Sequence, residues 1–192
     1  SLDFFGNEYE KIIEAYNYAI DHKYPFQMDQ SYFDGTNFYF KIDQEDDWRR
    51  KGPSKENRHE PIIGMGLLLD ARQVPMGMTL YPGNQSEKPQ QGKLIRDIQS
   101  RMGFEGRTIR IADKGLNCAR NIHEALKDGD GYLYSKSVKT LPEQELAWIF
   151  NDQDYREVRD KEGHILYAYK SCIDTFSYSY RDESGQTIRF SI

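Results

Sequence analysis

Ser31-Tyr-Phe-Asp-Gly-Thr-Asn-Phe-Tyr-Phe-Lys41 is a run of aromatic residues with a single carboxylate, Asp34, set inside it. Tyr, Phe and Thr suit a pleated, half-buried surface, so the stretch predicts a β-strand over about 31–42. A lone carboxylate buried in a sheet core costs several kcal/mol unless it is paired, hydrogen-bonded or bound to a metal. Asp34 therefore either occupies an exposed strand position or has a cation to hold.

Before this strand, Tyr9, Ile12, Ile13, Tyr16, Ala19 and Ile20 recur at helical spacing, predicting an amphipathic helix over 6–22 that stops ahead of Pro25. After it, Asp43 to Pro61 is dense in both signs of charge, contains Gly52-Pro53 and reads as an exposed loop. Ile62 to Leu69 is a nearly continuous apolar run, expected to be covered on both faces. Asp70-Ala-Arg-Gln73 turns the chain into Val74–Tyr81, completing a hairpin. Ser86 is the expected N-cap of a helix whose inward face is Leu94, Ile95, Ile98 and Met102, closed by Gly103. Thr108–Ala112 reads as a strand running into Asp113. Asn117 is the expected cap of a helix with Ala119, Ile122, Ala125 and Leu126 inward, and Tyr132–Tyr134 as the next strand.

Three consecutive strands, then helix, strand, helix, strand, define a ribonuclease H-like α/β topology: a mixed sheet, antiparallel first and parallel after. Past Lys136 the pattern changes. A short helix at 142–150 precedes four alternating segments, 155–159, 165–170, 176–181 and 187–192. Asp160-Lys-Glu-Gly163 and Asp182-Glu-Ser-Gly185 are their hairpin turns. These predict an antiparallel β-meander appended to the core. The expected organisation is a helical segment at 1–27, the core at 28–136 and a β-rich insertion at 137–192.

The composition restricts the function. The 192 residues include 14 tyrosines and 10 phenylalanines, enough for a core of large side chains, and the net charge is −5. A chain-wide basic footprint for nucleic acid is absent, which leaves only local basic contacts. Cys118 and Cys172 match no zinc or redox spacing and read as reduced thiols. With no long apolar run and no leader pattern, the expectation is a cytoplasmic protein without a membrane partner. The strand-like pattern continuing to Ile192 suggests a piece of a longer protein.

In the predicted sheet the first and fourth strands are neighbours, which would bring Asp34 and Asp113 to one edge. Paired carboxylates there suit phosphoryl transfer with divalent ions, and hard oxygen donors select Mg²⁺ or Mn²⁺. Read alone, both aspartates are equally ordinary strand-end and turn residues. His22, His59, His123 and His164 show no ligand spacing and are assigned no metal. The aromatic rows Tyr167/Tyr169 and Phe176/Tyr178/Tyr180 read as sheet packing rather than base-stacking platforms.

Four sequence words occur in order. They are Tyr32-Phe-Asp34-Gly-Thr-Asn-Phe-Tyr-Phe40, Gly64-Met-Gly-Leu-Leu-Leu-Asp70, Pro82-Gly-Asn84-Gln-Ser-Glu87 and Ile111-Ala-Asp113-Lys-Gly-Leu116, the last followed by Asn121-Ile122. Over residues 28–136 the chain resembles the DDE transposases of bacterial insertion sequences, whose ribonuclease H-like core carries a β-rich insertion. The resemblance implies that Asp34 and Asp113 are the first two catalytic, metal-holding carboxylates. It further implies a two-metal Mg²⁺ or Mn²⁺ site, cleavage and strand transfer on double-stranded DNA at transposon ends, and a homodimer in the synaptic complex. Lys55 and Arg58 match a basic stretch that the family has after its first strand, and either contact a DNA phosphate or only solvate the loop; Lys114, beside Asp113, is either a DNA-backbone contact or a surface charge. Asn84 and Glu87 are expected to position the loop and helix start. The family's third carboxylate lies in a Tyr-x-x-Arg-x-x-x-Glu pattern that this sequence lacks. Tyr155-Arg156-Glu157 has the letters without the spacing, so the expectation is a catalytically incomplete fragment. The alternatives are a ribonuclease H-like nuclease or resolvase, or a non-catalytic remnant of a mobile element.

Overall fold

The structure, a computed structural model, describes residues 2–53 and 59–192. The chain divides into two compact units, Ser1–Ser135 and Lys136–Ile192. Lys55 and Arg58 lie outside the described residues.

In the first unit, α1 (Leu2–Asn7) and α2 (Tyr9–Lys23) divide the single helix expected at 6–22. The strands are β1 (Gln30–Tyr39), β2 (Ile62–Leu69), β3 (Pro75–Pro82), β4 (Ile109–Ala112) and β5 (Gly131–Tyr134). They form one sheet in the order β3-β2-β1-β4-β5. β1–β2 and β2–β3 are antiparallel, whereas β1–β4 and β4–β5 are parallel. This is the ribonuclease H-like arrangement read from the sequence. α3 (Gln90–Met102) connects β3 to β4, and α4 (Ala119–Lys127) connects β4 to β5.

The core lies on one face of this sheet. Phe33 and Leu68 pack with Leu94, Ile95 and Ile98 of α3, joined by Phe26, Met76 and Leu116. Ile20 of α2 adds to the rim, and Asn17 bonds the Met76 carbonyl. Glycines let the layers close up. Gly35 pairs with Gly66 across β1–β2, and a Cβ on Gly66 would overlap the Phe33 ring. Gly103, with φ of 66°, ends α3 in the left-handed conformation that glycine adopts without strain.

β2 departs from expectation. Its burial alternates residue by residue, so Ile62, Gly64, Gly66 and Leu68 are covered while Ile63, Met65, Leu67 and Leu69 are half-buried. The continuous apolar run therefore serves one covered face and one open face. Nearby on the sheet, Ile109 and Leu133 are 40% and 62% exposed.

Two capping expectations fail for the same reason: turns intervene before the helix begins. Ser86 accepts from the Lys88 N–H in a turn, and α3 starts only after Pro89. Asn117 donates to the Ser135 carbonyl at 3.0 Å, and Cys118 takes the cap position of α4. Leu126, expected inward, is 41% exposed, because the buried stripe of α4 is Asn121, Ile122 and Ala125.

A buried charge network holds β4. Arg110 donates through Nε to Asp130 at 2.8 Å and through a terminal nitrogen to Asp128 and Asp130, each at 2.6 Å. Asp130 also accepts the Thr108 N–H at 3.1 Å. A second enclosed carboxylate, Asp70, accepts from the backbone N–H groups of Gln27, Arg72 and Val74 and so closes the β2–β3 turn.

In the second unit, α5 (Glu143–Phe150) is followed by β6 (Arg156–Arg159) paired with β7 (Ile165–Tyr169), and β8 (Ser177–Arg181) paired with β9 (Thr187–Ser191). The expected four-stranded meander resolves into two separate two-stranded hairpins. The chain leaves the β6–β7 ladder at Lys170, whose ammonium bonds the Trp148 and Asn151 carbonyls. It sits 4.7 Å and 4.4 Å from the Trp148 and Tyr155 ring centres. Tyr178 stacks on Phe190 across β8–β9, as sheet packing predicts. Tyr167 and Tyr169 are largely exposed instead.

Candidate functional site

Alternation along β1 decides where Asp34 points. Phe33 and Gly35 are buried against the α3 side, whereas Asp34 and Thr36 are exposed on the other face. Of the two options left open for Asp34, the strand takes the exposed one, so no burial cost forces a cation upon it.

The parallel ladder between β1 and β4 sets the second residue. Gln30 pairs with Ile109, Ser31 with Arg110 and Tyr32 with Ile111. Asp34, in mid-β1 and still paired with Leu67 of β2, and Asp113, just past the end of β4, each lie two residues beyond the last of these pairs and so stand at the same level on adjacent segments. Neighbouring strands lie about 4.8 Å apart. Both aspartates line one cleft of about 500 Å³, whose walls are Tyr32, Leu67, Leu69 and Ile111. This is the carboxyl end of the parallel strands, where open α/β sheets bind ligands.

Asp113 begins a tight turn. Its Oδ1 accepts the Gly115 N–H at 2.8 Å, and the Leu116 and Asn117 N–H groups bond the Asp113 and Lys114 carbonyls. Lys114 is exposed on this turn, within a residue of the carboxylate it was expected to accompany.

Glu87, assigned from the sequence only to the loop and helix start, reaches further than that. It stands in the turn after β3. A Cβ built on Gly35 would overlap its Oε2, and one built on Gly115 would lie 3.1 Å from its Oε1. The same Gly115 position is 3.1 Å from Asp113 Oδ1. The legible signal was the pair of glycines, Asp34-Gly35 and Asp113-Lys-Gly115, each close behind an aspartate. Asn37, Tyr81, Asn84 and Glu87 line an adjacent cleft of about 460 Å³. The Tyr81 hydroxyl, buried and near the Glu87 charge, has its pKa pushed up to about 12.

The donor set fits a hard divalent cation, since carboxylate oxygens on one cleft are the ligands Mg²⁺ and Mn²⁺ take. Among the described residues the one group of three ligand atoms already gathered is elsewhere, at Asp160, Glu162 and His164. His164, read from the sequence as unpaired, lies 3.1 Å from Asp160 through Nδ1. The β6–β7 turn accounts for that cluster, because Asp160 Oδ1 accepts the His164 N–H at 2.8 Å. No helix among the described residues is long and apolar enough to cross a membrane.

No protein-family model and no curated protein matches the sequence. Among solved structures the chain is similar to transposases, of which three follow. A piggyBac transposase synaptic complex with hairpin DNA is 10% identical with a TM-score of 0.46, covering 86% of this chain and 33% of that one. The catalytic domain of Mos1 mariner transposase is 10% identical with a TM-score of 0.38, covering 76% and 72%. The Mos1 paired-end complex with the left transposon end is 12% identical with a TM-score of 0.38, covering 64% and 40%. The chain thus spans about a third of the piggyBac protein's length.

Proposed function

We propose that Asp34 and Asp113 are two carboxylates of a divalent-metal centre for DNA phosphoryl transfer, within the catalytic core of a transposase. The observation that carries this reading is the β1–β4 register, which levels Asp34 in mid-β1 with Asp113 just past the end of β4. The four ordered sequence words support the transposase assignment over a generic nuclease.

A divalent ion bound there would supply Lewis-acid stabilisation of the phosphate oxygens and of the attacking water or 3′-hydroxyl. Asp34 and Asp113 would hold it. Lys114, exposed beside Asp113, would meet a backbone phosphate, with Lys55 and Arg58 adding contacts from the charged loop. In the intact protein the reaction would be cleavage at transposon ends followed by strand transfer into double-stranded DNA. The 137–192 segment would be the insertion of the family, and 28–136 its core. A bacterial insertion-sequence source, a cytoplasmic site of action and a dimeric synaptic complex belong to the same reading.

Thermal unfolding in the presence of Mn²⁺ tests it. A ligand at about 100 times its Kd stabilises the folded state by about 2.7 kcal/mol. Mn²⁺ should raise the Tm of the wild type, and Asp34→Asn or Asp113→Asn should each remove the shift. A wild type indifferent to Mn²⁺ would refute the metal centre.

A further inference from the structure

We infer that Glu87 is a positioning residue of the Asp34–Asp113 centre, setting its cation affinity from the turn that precedes α3; this rests on the metal reading above. Its carboxylate spans the two chain segments that bear the aspartates. One oxygen lies over Gly35, the residue after Asp34, and the other lies beside Gly115, whose N–H holds Asp113 Oδ1 at 2.8 Å. A side chain at Gly35 would overlap the carboxylate, and one at Gly115 would crowd both Glu87 and Asp113. The two glycines therefore form a slot that a carboxylate fills.

Electrostatics gives the slot its meaning. Glu87 is half-buried and sits beside Asp113, an arrangement that like-charge repulsion opposes. A divalent cation on the aspartates reverses the sign: Glu87 lies on the α3 side of β1, across the strand from the Asp34 side chain and beside Asp113, so its charge acts on the cation through Asp113 and strengthens binding. Removing Glu87 thus affects the cation-bound state more than the empty one. A glutamate that merely closed the loop would affect both states alike.

Mn²⁺ affinity of this chain, measured from the electron paramagnetic resonance of free Mn²⁺, separates the two roles. Outer residues that orient metal ligands change affinity by about 10- to 100-fold when mutated, so Glu87→Gln should weaken Mn²⁺ binding at least about tenfold. Whatever Glu87→Gln does to the metal-free Tm, the rise in Tm that Mn²⁺ produces should shrink with the affinity. Gly35→Ala, which displaces the carboxylate without removing it, should weaken binding in the same direction. Glu87→Asp, charged but shorter, should fall between. Glu87→Gln binding Mn²⁺ as the wild type does, while Asp34→Asn does not, overturns the role of Glu87 and leaves the metal centre standing. A wild type that binds no Mn²⁺ overturns both. Should Glu87→Gln lose its folded circular dichroism, Glu87→Asp decides, and unchanged affinity there overturns the inference.

Discussion

Arg110, in β4 three residues before Asp113, and Asp130, in the loop after α4, form an ion pair sealed from solvent, each side chain 1% exposed. The pair ties β4 to the loop that ends α4, so it fixes the strand from which Asp113 departs. Breaking a buried pair from one side leaves an uncompensated charge.

Asp130→Ala should therefore destabilise the first unit by about 3 kcal/mol or more, read from urea unfolding. The double variant Arg110→Met, Asp130→Leu should cost less than Asp130→Ala alone, because it also removes the buried guanidinium that Asp130→Ala leaves with Asp128 but without Asp130. A double variant as unstable as the single one would show that the hydrogen bond to Thr108 dominates.

Acid should weaken the fold through Asp128 and Asp46. Burial alone would raise the Asp128 carboxyl, but hydrogen bonds from Arg110 and Arg96 and their charges hold it below its ordinary 3.8. Hydrogen bonds from the Arg49 side chain and backbone lower Asp46 to about 2. For a depressed carboxyl the stabilisation is fully present above the ordinary value and is lost as pH falls through the folded one. Unfolding free energy should decline from about pH 4 towards pH 2. Asp128→Asn should reduce the slope of that decline.

At the alkaline end the sign is opposite. Burial, then the Glu87 charge, raises Tyr81 from 10.0 to about 12, and burial raises Tyr134 as well. The contribution of a raised group is intact below its ordinary value and disappears as pH rises through the folded one. Stability should thus fall from about pH 10 upward, and the near-ultraviolet phenolate signal should show late-titrating tyrosines. Tyr81→Phe should remove one of them, and Glu87→Gln should bring Tyr81 down towards 10.0.

Lys170 is the fastening of the second unit, holding α5 to the β6–β7 hairpin through two carbonyls and two ring faces. Cation–π contacts contribute about 0.5–1 kcal/mol each at exposed sites. Lys170→Met should cost about 1–2 kcal/mol and shift Trp148 fluorescence, measured in a Trp48→Phe background. An unchanged spectrum would place the ammonium off the indole.

Element types and their order were readable because each segment carries its own period and punctuation. Gly103 ended α3 where expected, with positive φ. The pairing of β1 with β4 followed from topology, and with it the level of Asp34 and Asp113. What escaped was tertiary. Nothing local to Ile62–Leu69 tells a strand with one open face from one covered twice. Likewise, nothing in Ser86-Glu-Lys-Pro89 reveals that turns delay the helix and send Glu87 towards two glycines distant in the chain. The meander failed because hairpin turns specify strand pairs and leave the joining of pairs to packing.

Along β1 the odd-numbered residues Phe33 and Gly35 fold the protein, while Asp34 between them faces outward. Folding and chemistry are thus written on alternate letters of the same strand. Asparagine matches aspartate in size, so on the proposed reading the packed face of β1 carries no record of whether this carboxylate, and the chemistry proposed for it, is still there.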